Sequence, residues 1–211
     1  MKAKLFSGII LTLGLFACEK SDVGSDKTIG GEPLALTEMG NTFGLYTTLS
    51  GVSVSDGEVT NVSDGVSTTT VKVAVTNPTL VKWKDTFPYI KNVNGNTAEI
   101  SFSGRVTDKG IQSVHEGKNF TLIDYDAKVG DKYEGTINGN KIVREVVAKS
   151  TTDDYAYGFM GIKVFQIEEQ GNAMPGLQKI RYYANHKFGL VGVEAVFEDG
   201  SKNKVSVFSD K

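Results

Sequence analysis

Ile100-Ser101-Phe102-Ser103-Gly104-Arg105-Val106 is the stretch that decides the fold class. Apolar side chains at 100, 102 and 106, with glycine at 104, alternate with Ser101, Ser103 and Arg105. Successive side chains of an extended chain point to opposite faces, so this period of two marks a strand with one face buried. Working outward, Val71, Val73 and Val75 alternate with Lys72, Ala74 and Thr76. Farther on, Val191, Val193, Ala195 and Phe197 alternate with Leu190, Gly192, Glu194 and Val196, and there both faces are largely apolar. Asp56-Gly57, Asp64-Gly65, Asn94-Gly95-Asn96, Asn138-Gly139-Asn140 and Asp199-Gly200 separate these runs. Such pairs tolerate the positive φ angles of tight hairpin turns. No long window holds apolar residues at helical spacing, and the best helical candidate, 140–150, is rich in β-branched residues and reads as strand. The expectation is an all-β protein: an antiparallel, hairpin-built sandwich or half-barrel.

The β-rich region is expected to run from 34 to 211. Its first part, 34–123, is rich in Thr, Ser and Val, and its second, 124–211, holds most of the tyrosines. Asp124-Tyr125-Asp126 runs between them without a Pro- or Gly-rich linker, which favours one unit or two tightly packed subdomains. No internal repeat stands out.

The N-terminus carries an address. Lys2 and Lys4 precede an uncharged run from Leu5 to Phe16, too short for the about 20 apolar residues that span a bilayer. Residues 1–17 therefore read as a signal peptide. Leu15-Phe16-Ala17-Cys18 resembles the lipobox of bacterial lipoproteins. The resemblance implies a diacylglycerol on the Cys18 thiol, cleavage before Cys18 and acylation, typically by palmitate, of the new amine. Several acyl chains hold a protein stably at a membrane where one does so marginally. Glu19 stands where an aspartate would resemble an inner-membrane retention signal, so the implied location is the outer membrane of a Gram-negative cell. Residues 18–33 are polar and aperiodic and read as a lipidated tether. The stretch from Val129 to Val191 also resembles the closing meander of β-rich lipoproteins of half-barrel type, some of which cradle apolar ligands. That resemblance assigns no site residue.

Composition removes several function classes. The formal charge of −2 includes Lys2 and Lys4, so without them it is −4, and no basic stripe invites nucleic acid. The sequence has a single cysteine, Cys18. Once it is lipidated, disulfides, thiolate metal sites and cysteine nucleophiles have no source. No cofactor or metal is expected. His115 and His186 lie 71 positions apart and read as surface or turn residues. No Gly-x-Ser-x-Gly elbow fixes a serine nucleophile. Asp124 with Asp126 reads as a solvated turn rather than an acid–base pair, and Asp153-Asp154, without the spaced Asp/Asn loop and closing glutamate of a calcium site, reads as a solvated turn as well.

Aromatic residues give the binding candidates. Trp83, Phe87 and Tyr89 cluster within 81–89 among charges and a proline, and Trp83 and Tyr89 are the expected ligand contacts. Tyr155, Tyr157 and Phe159 share one face of a strand and read as core. The functional expectation is a lipid-anchored, non-enzymatic envelope protein. Its β-domain would bind a glycan, an envelope component or a protein partner, or serve a structural role. A carrier half-barrel sheltering an apolar ligand is the second reading and a carboxylate-based hydrolase the third.

Overall fold

In the computed structural model, residues 27–82, 89–172 and 174–211 are described. Cys18, the signal peptide and Trp83 fall outside them. The run that opened the sequence reading lies in β6 (Thr97–Thr107), flanked by β5 (Ile90–Asn94) and β7 (Gly110–His115). Before them come β1 (Thr42–Thr47), β2 (Val52–Val54), β3 (Gly57–Ser63) and β4 (Val66–Val75), with a 3-10 turn at Ala35–Thr37 and a helical turn, α1 (Pro78–Val81). After them come β8 (Lys118–Asp124), β9 (Lys132–Ile137), β10 (Asn140–Lys149), β11 (Tyr155–Tyr157), β12 (Met160–Ile162) and β13 (Phe165–Gln170). β14 (Leu177–Asn185), β15 (Gly189–Phe197) and β16 (Lys202–Ser209) complete the chain. The 140–150 stretch is strand, as its β-branched residues require.

One large antiparallel sheet runs in the order β8-β7-β6-β4-β3-β1-β16-β15-β14-β13-β10-β9. Its two edge strands, β8 and β9, are neighbours in sequence, and the sheet curls until they meet in a nearly closed barrel. At this seam the Asp124 N–H donates to the Tyr133 hydroxyl at 3.1 Å. The core straddles it: Ile111, Phe120, Leu122 and Ile123 from one side pack with Ile142, Val146, Phe165 and Ile167 from the other. Residues 34–123 and 124–211 thus share a single sheet and a single main core.

Most of the expected turns are present. Asn138 and Gly139 both adopt positive φ, at 49° and 78°, and close the β9–β10 hairpin. Asp56-Gly57 differs. It joins β2 and β3, which do not pair with each other but lie end to end along one edge of β4. β5 and β7 share one edge of β6 in the same way: β5 pairs with 97–100 and β7 with 104–107. The interruption between them positions the site described below.

β11 and β12 form a small hairpin sheet of their own. It covers an aromatic cluster in which Tyr157 stacks on Phe208 at 4.7 Å and contacts Phe188 at 4.9 Å. Tyr157 is buried in this cluster, as expected, and Tyr155 packs half-buried against it, but Phe159 is 97% exposed. The hairpin turns at Gly158, φ 60°, so the alternation ends there and Phe159 points into solvent from the tip.

Candidate functional site

The site has a buried floor and an open groove above it. Arg144 supplies the floor. It alternates with Ile142 and Val146 on the inward row of β10, so its guanidinium enters the barrel, and its side chain is 3% exposed. Burying a charge is tolerated only with a partner and satisfied hydrogen bonds. Glu169, inward on β13 beside Phe165 and Ile167, provides the partner: Arg144 Nε donates to Glu169 Oε2 at 2.6 Å. Arg144 Nη1 reaches Ser113 Oγ at 3.3 Å and, on β8, the carbonyls of Phe120 at 3.1 Å and Thr121 at 3.3 Å. The guanidinium also lies 3.6 Å over the Phe120 ring. One side chain of β10 therefore braces β8 across the seam.

Tyrosines complete the floor. Tyr182 donates to Glu169 Oε2 at 3.2 Å, and burial, reinforced by the Glu169 carboxylate, holds its hydroxyl well above the ordinary phenol range. Burial also raises Tyr89, partly countered by the nearby Arg144 cation. For Arg144 itself, burial works against the charge, but Glu169 more than offsets it and keeps the guanidinium protonated. Each charged group of the floor is occupied by its neighbours: Arg144 by Glu169 and the β8 carbonyls, and Glu169 by Arg144 and Tyr182.

The groove lies where β6 loses one partner strand before gaining the next. Tyr89, Lys91, Ser101, Ser103, His115 and Asn138 line a solvent-open space of about 480 Å³. Tyr89 packs against Phe102 at 4.9 Å and edge-on to His115 at 6.1 Å. His115 Nε2 is buried without a hydrogen-bond partner, 4.0 Å from Glu116 Oε1. Ser101 and Ser103 continue a row of hydroxyls across the sheet, with Thr70 3.4 Å from Ser101 and Thr68 2.9 Å from Ser103. The lining offers donors, acceptors and one aromatic edge, which suits hydrogen-bonding ligands rather than apolar ones.

The sequence candidates disperse. Tyr89 lines the groove, whereas Trp83 lies outside the described residues. His115 is half-buried at a strand end, and His186 is exposed in the β14–β15 turn. Asp124 accepts the Asp126 N–H at 2.9 Å in a turn, and Asp154 accepts from Ser150 Oγ at 2.7 Å, so both acidic pairs belong to turns. No group of three or more metal-ligating side chains is found among the described residues. Arg144, Glu169 and Tyr182 are site residues that the sequence candidates above do not include. The signal was present, since a charge interrupts the apolar inward row of both β10 and β13.

Fold and site define the class: an all-β protein built on one curled antiparallel sheet whose apolar core holds a buried Arg144–Glu169 pair, with a polar groove beside it. No protein-family model matches the chain, and no curated protein matches it. Among solved structures it is similar to a Bacteroides fragilis protein described as a "putative exported protein with YmcC-like fold". The two share 10% identity over 83% of this chain and 97% of the other, with a TM-score of 0.43.

Proposed function

We propose that the chain is a lipid-anchored outer-membrane protein whose barrel acts as a non-enzymatic binding or structural module of the cell envelope. The anchor rests on the lipobox-like run ending in Cys18. The non-enzymatic reading rests on one structural observation: the barrel interior is filled. Ile123, Val146, Ile167 and Ala184 are fully buried, and the charged pair at the centre is saturated by its own neighbours. A carrier of apolar cargo needs a largely apolar pocket of about 300–1,000 Å³. The groove has that volume but a polar, open lining. Glycans or polar envelope components therefore fit it better than fatty acids.

The test is a thermal-shift screen of the chain from Asp22 onward against glycans, fatty acids and phospholipid fragments. A ligand at about 100 times its Kd stabilises by about 2.7 kcal/mol, which moves the midpoint of a domain this size by several degrees. A shift with glycans supports the module, a shift with fatty acids restores the carrier, and a flat screen leaves a structural role. Cys18→Ala in the full chain is expected to release the protein from salt-washed membranes. Retention would remove the lipid anchor from the proposal.

A further inference from the structure

We infer that residues 27–34 are a docked strap that shortens the tether and turns the groove side of the barrel toward the bilayer. The inference rests on the lipid anchor at Cys18 proposed above. The span 18–33 reads from sequence as tether throughout, yet its last part is built into the fold. Leu34 N–H donates to the Val106 carbonyl at 3.0 Å, and Pro33 bridges to Thr107. Glu32 and Asp108 exchange two bonds: Glu32 N–H to Asp108 Oδ1 at 2.9 Å, and Asp108 N–H to the Glu32 carbonyl at 3.0 Å. The chain thus hooks over the β6–β7 turn.

From there it runs along the outside of β7 and β8. Ile29 N–H donates to Gln112 Oε1 at 2.8 Å. The Lys27 carbonyl accepts from Gln112 Nε2 at 3.4 Å and from Asn119 Nδ2 at 3.3 Å. Gln112 and Asn119 are 4% and 8% exposed; Gln112 also donates to Thr121 Oγ1 and Asn119 accepts from Arg105, and the strap completes the hydrogen bonding of these two buried amides. Gly110 shows how close the contact is: a Cβ there would stand 2.4 Å from Ile29 Cδ1.

The geometry sets a reach. Between Cys18 and Lys27 lie nine steps of chain, which extend to about 30 Å at most. Lys27 leaves the barrel beside Asn119, which pairs with Val114 just before the Glu116-Gly117 turn. Val114, Glu116 and Gly117 also line the groove. A short leash leaving at that corner holds the corner near the lipid headgroups, and the β11–β12 hairpin, packed on β14–β16 midway round the sheet from β7 and β8, stands away from them. The partner surface is the bilayer of the anchor itself, and the groove samples ligands within about 30 Å of it.

Two measurements test this. Amide hydrogen exchange on the full chain should show Ile29 and Glu32 protected to the level of the neighbouring strands. Exchange at the rate of free peptide would overturn the strap. Second, the lipidated protein carrying a fluorophore at Lys118→Cys or at Phe159→Cys is placed on vesicles of phosphatidylethanolamine and phosphatidylglycerol containing quencher-bearing headgroups. Quenching several-fold stronger at position 118 is expected, and Gln112→Ala with Asn119→Ala should bring the two positions together. Equal quenching in protein that floats with vesicles would overturn the orientation. Failure to float would instead overturn the lipid anchor.

Discussion

At the residue scale the decisive side chain is Arg144. Removing one partner of a buried ion pair leaves an uncompensated charge, at about 3–5 kcal/mol, whereas replacing both by apolar groups is often neutral. Arg144→Ala also removes a donor from the Thr121 carbonyl and from the Phe120 carbonyl, which keeps only the Ser113 hydroxyl among its side-chain donors. Its loss of stability in urea denaturation should therefore reach the top of that range, and Arg144→Met with Glu169→Leu should recover most of it. A double variant as unstable as the single one would mean that the seam carbonyls, not the charge, dominate. Glu168, one position from Glu169, points the other way and behaves differently. Burial pushes its carboxyl up, but hydrogen bonds and charge from Lys179 and Arg181 more than compensate and hold it below the ordinary value of 4.5. A depressed folded-state value contributes stability that is present above pH 4.5 and lost as pH falls through the folded value. Glu168→Gln should accordingly flatten the acid limb of the stability profile and leave the limb above neutrality unchanged.

At the element scale, alternation made the strands legible and partnering did not. Ile100, Phe102 and Val106 in β6, and Val71, Val73 and Val75 in β4, are visible from period alone because the two faces meet different media. Which edge a strand takes depends on contacts distant in sequence. The end-to-end arrangement of β2 and β3 on β4, and of β5 and β7 on β6, has no local signature. The groove arises from the second interruption, so its lining could not be assembled from sequence although Tyr89 could be picked out. Arg144 and Glu169 were legible as charges in apolar rows, but their pairing across 25 residues was not. The β11–β12 hairpin offers the test at this scale. Tyr157 is 7% exposed between Phe188 and Phe208, and Tyr157→Ala is expected to destabilise by about 3 kcal/mol, as large-to-small changes of buried aromatic residues do. Phe159→Ser, two residues away at the tip, should stay within about 0.5 kcal/mol. Thermal midpoints of the two variants read the difference directly.

At the scale of the whole molecule, the question is whether a sheet that closes without a hydrogen-bonded ladder at its seam behaves as one body. β8 and β9 meet through the core, through Arg144 and through the Tyr133 hydroxyl rather than through paired backbones. Each half supplies apolar side chains that the other covers, so neither 34–123 nor 124–211 retains its buried surface alone. Unfolding should therefore be a single transition, with backbone and aromatic circular dichroism tracing the same curve. The seam also makes the molecule sensitive to alkali. Burial, the largest influence, raises the Tyr133 hydroxyl to about 12, and the Asp124 N–H it accepts opposes that rise. A raised folded-state value contributes stability that is whole below pH 10 and lost as pH climbs through about 12. Tyr133→Phe removes both the titrating group and the seam bond. At neutral pH it should cost about 1 kcal/mol, the net worth of one hydrogen bond. Between pH 10 and 12 it should lose stability more slowly than the parent, so the two curves converge. Parallel curves over that window would show that the seam is held by its apolar contacts and Arg144, with Tyr133 contributing nothing that ionisation can take away.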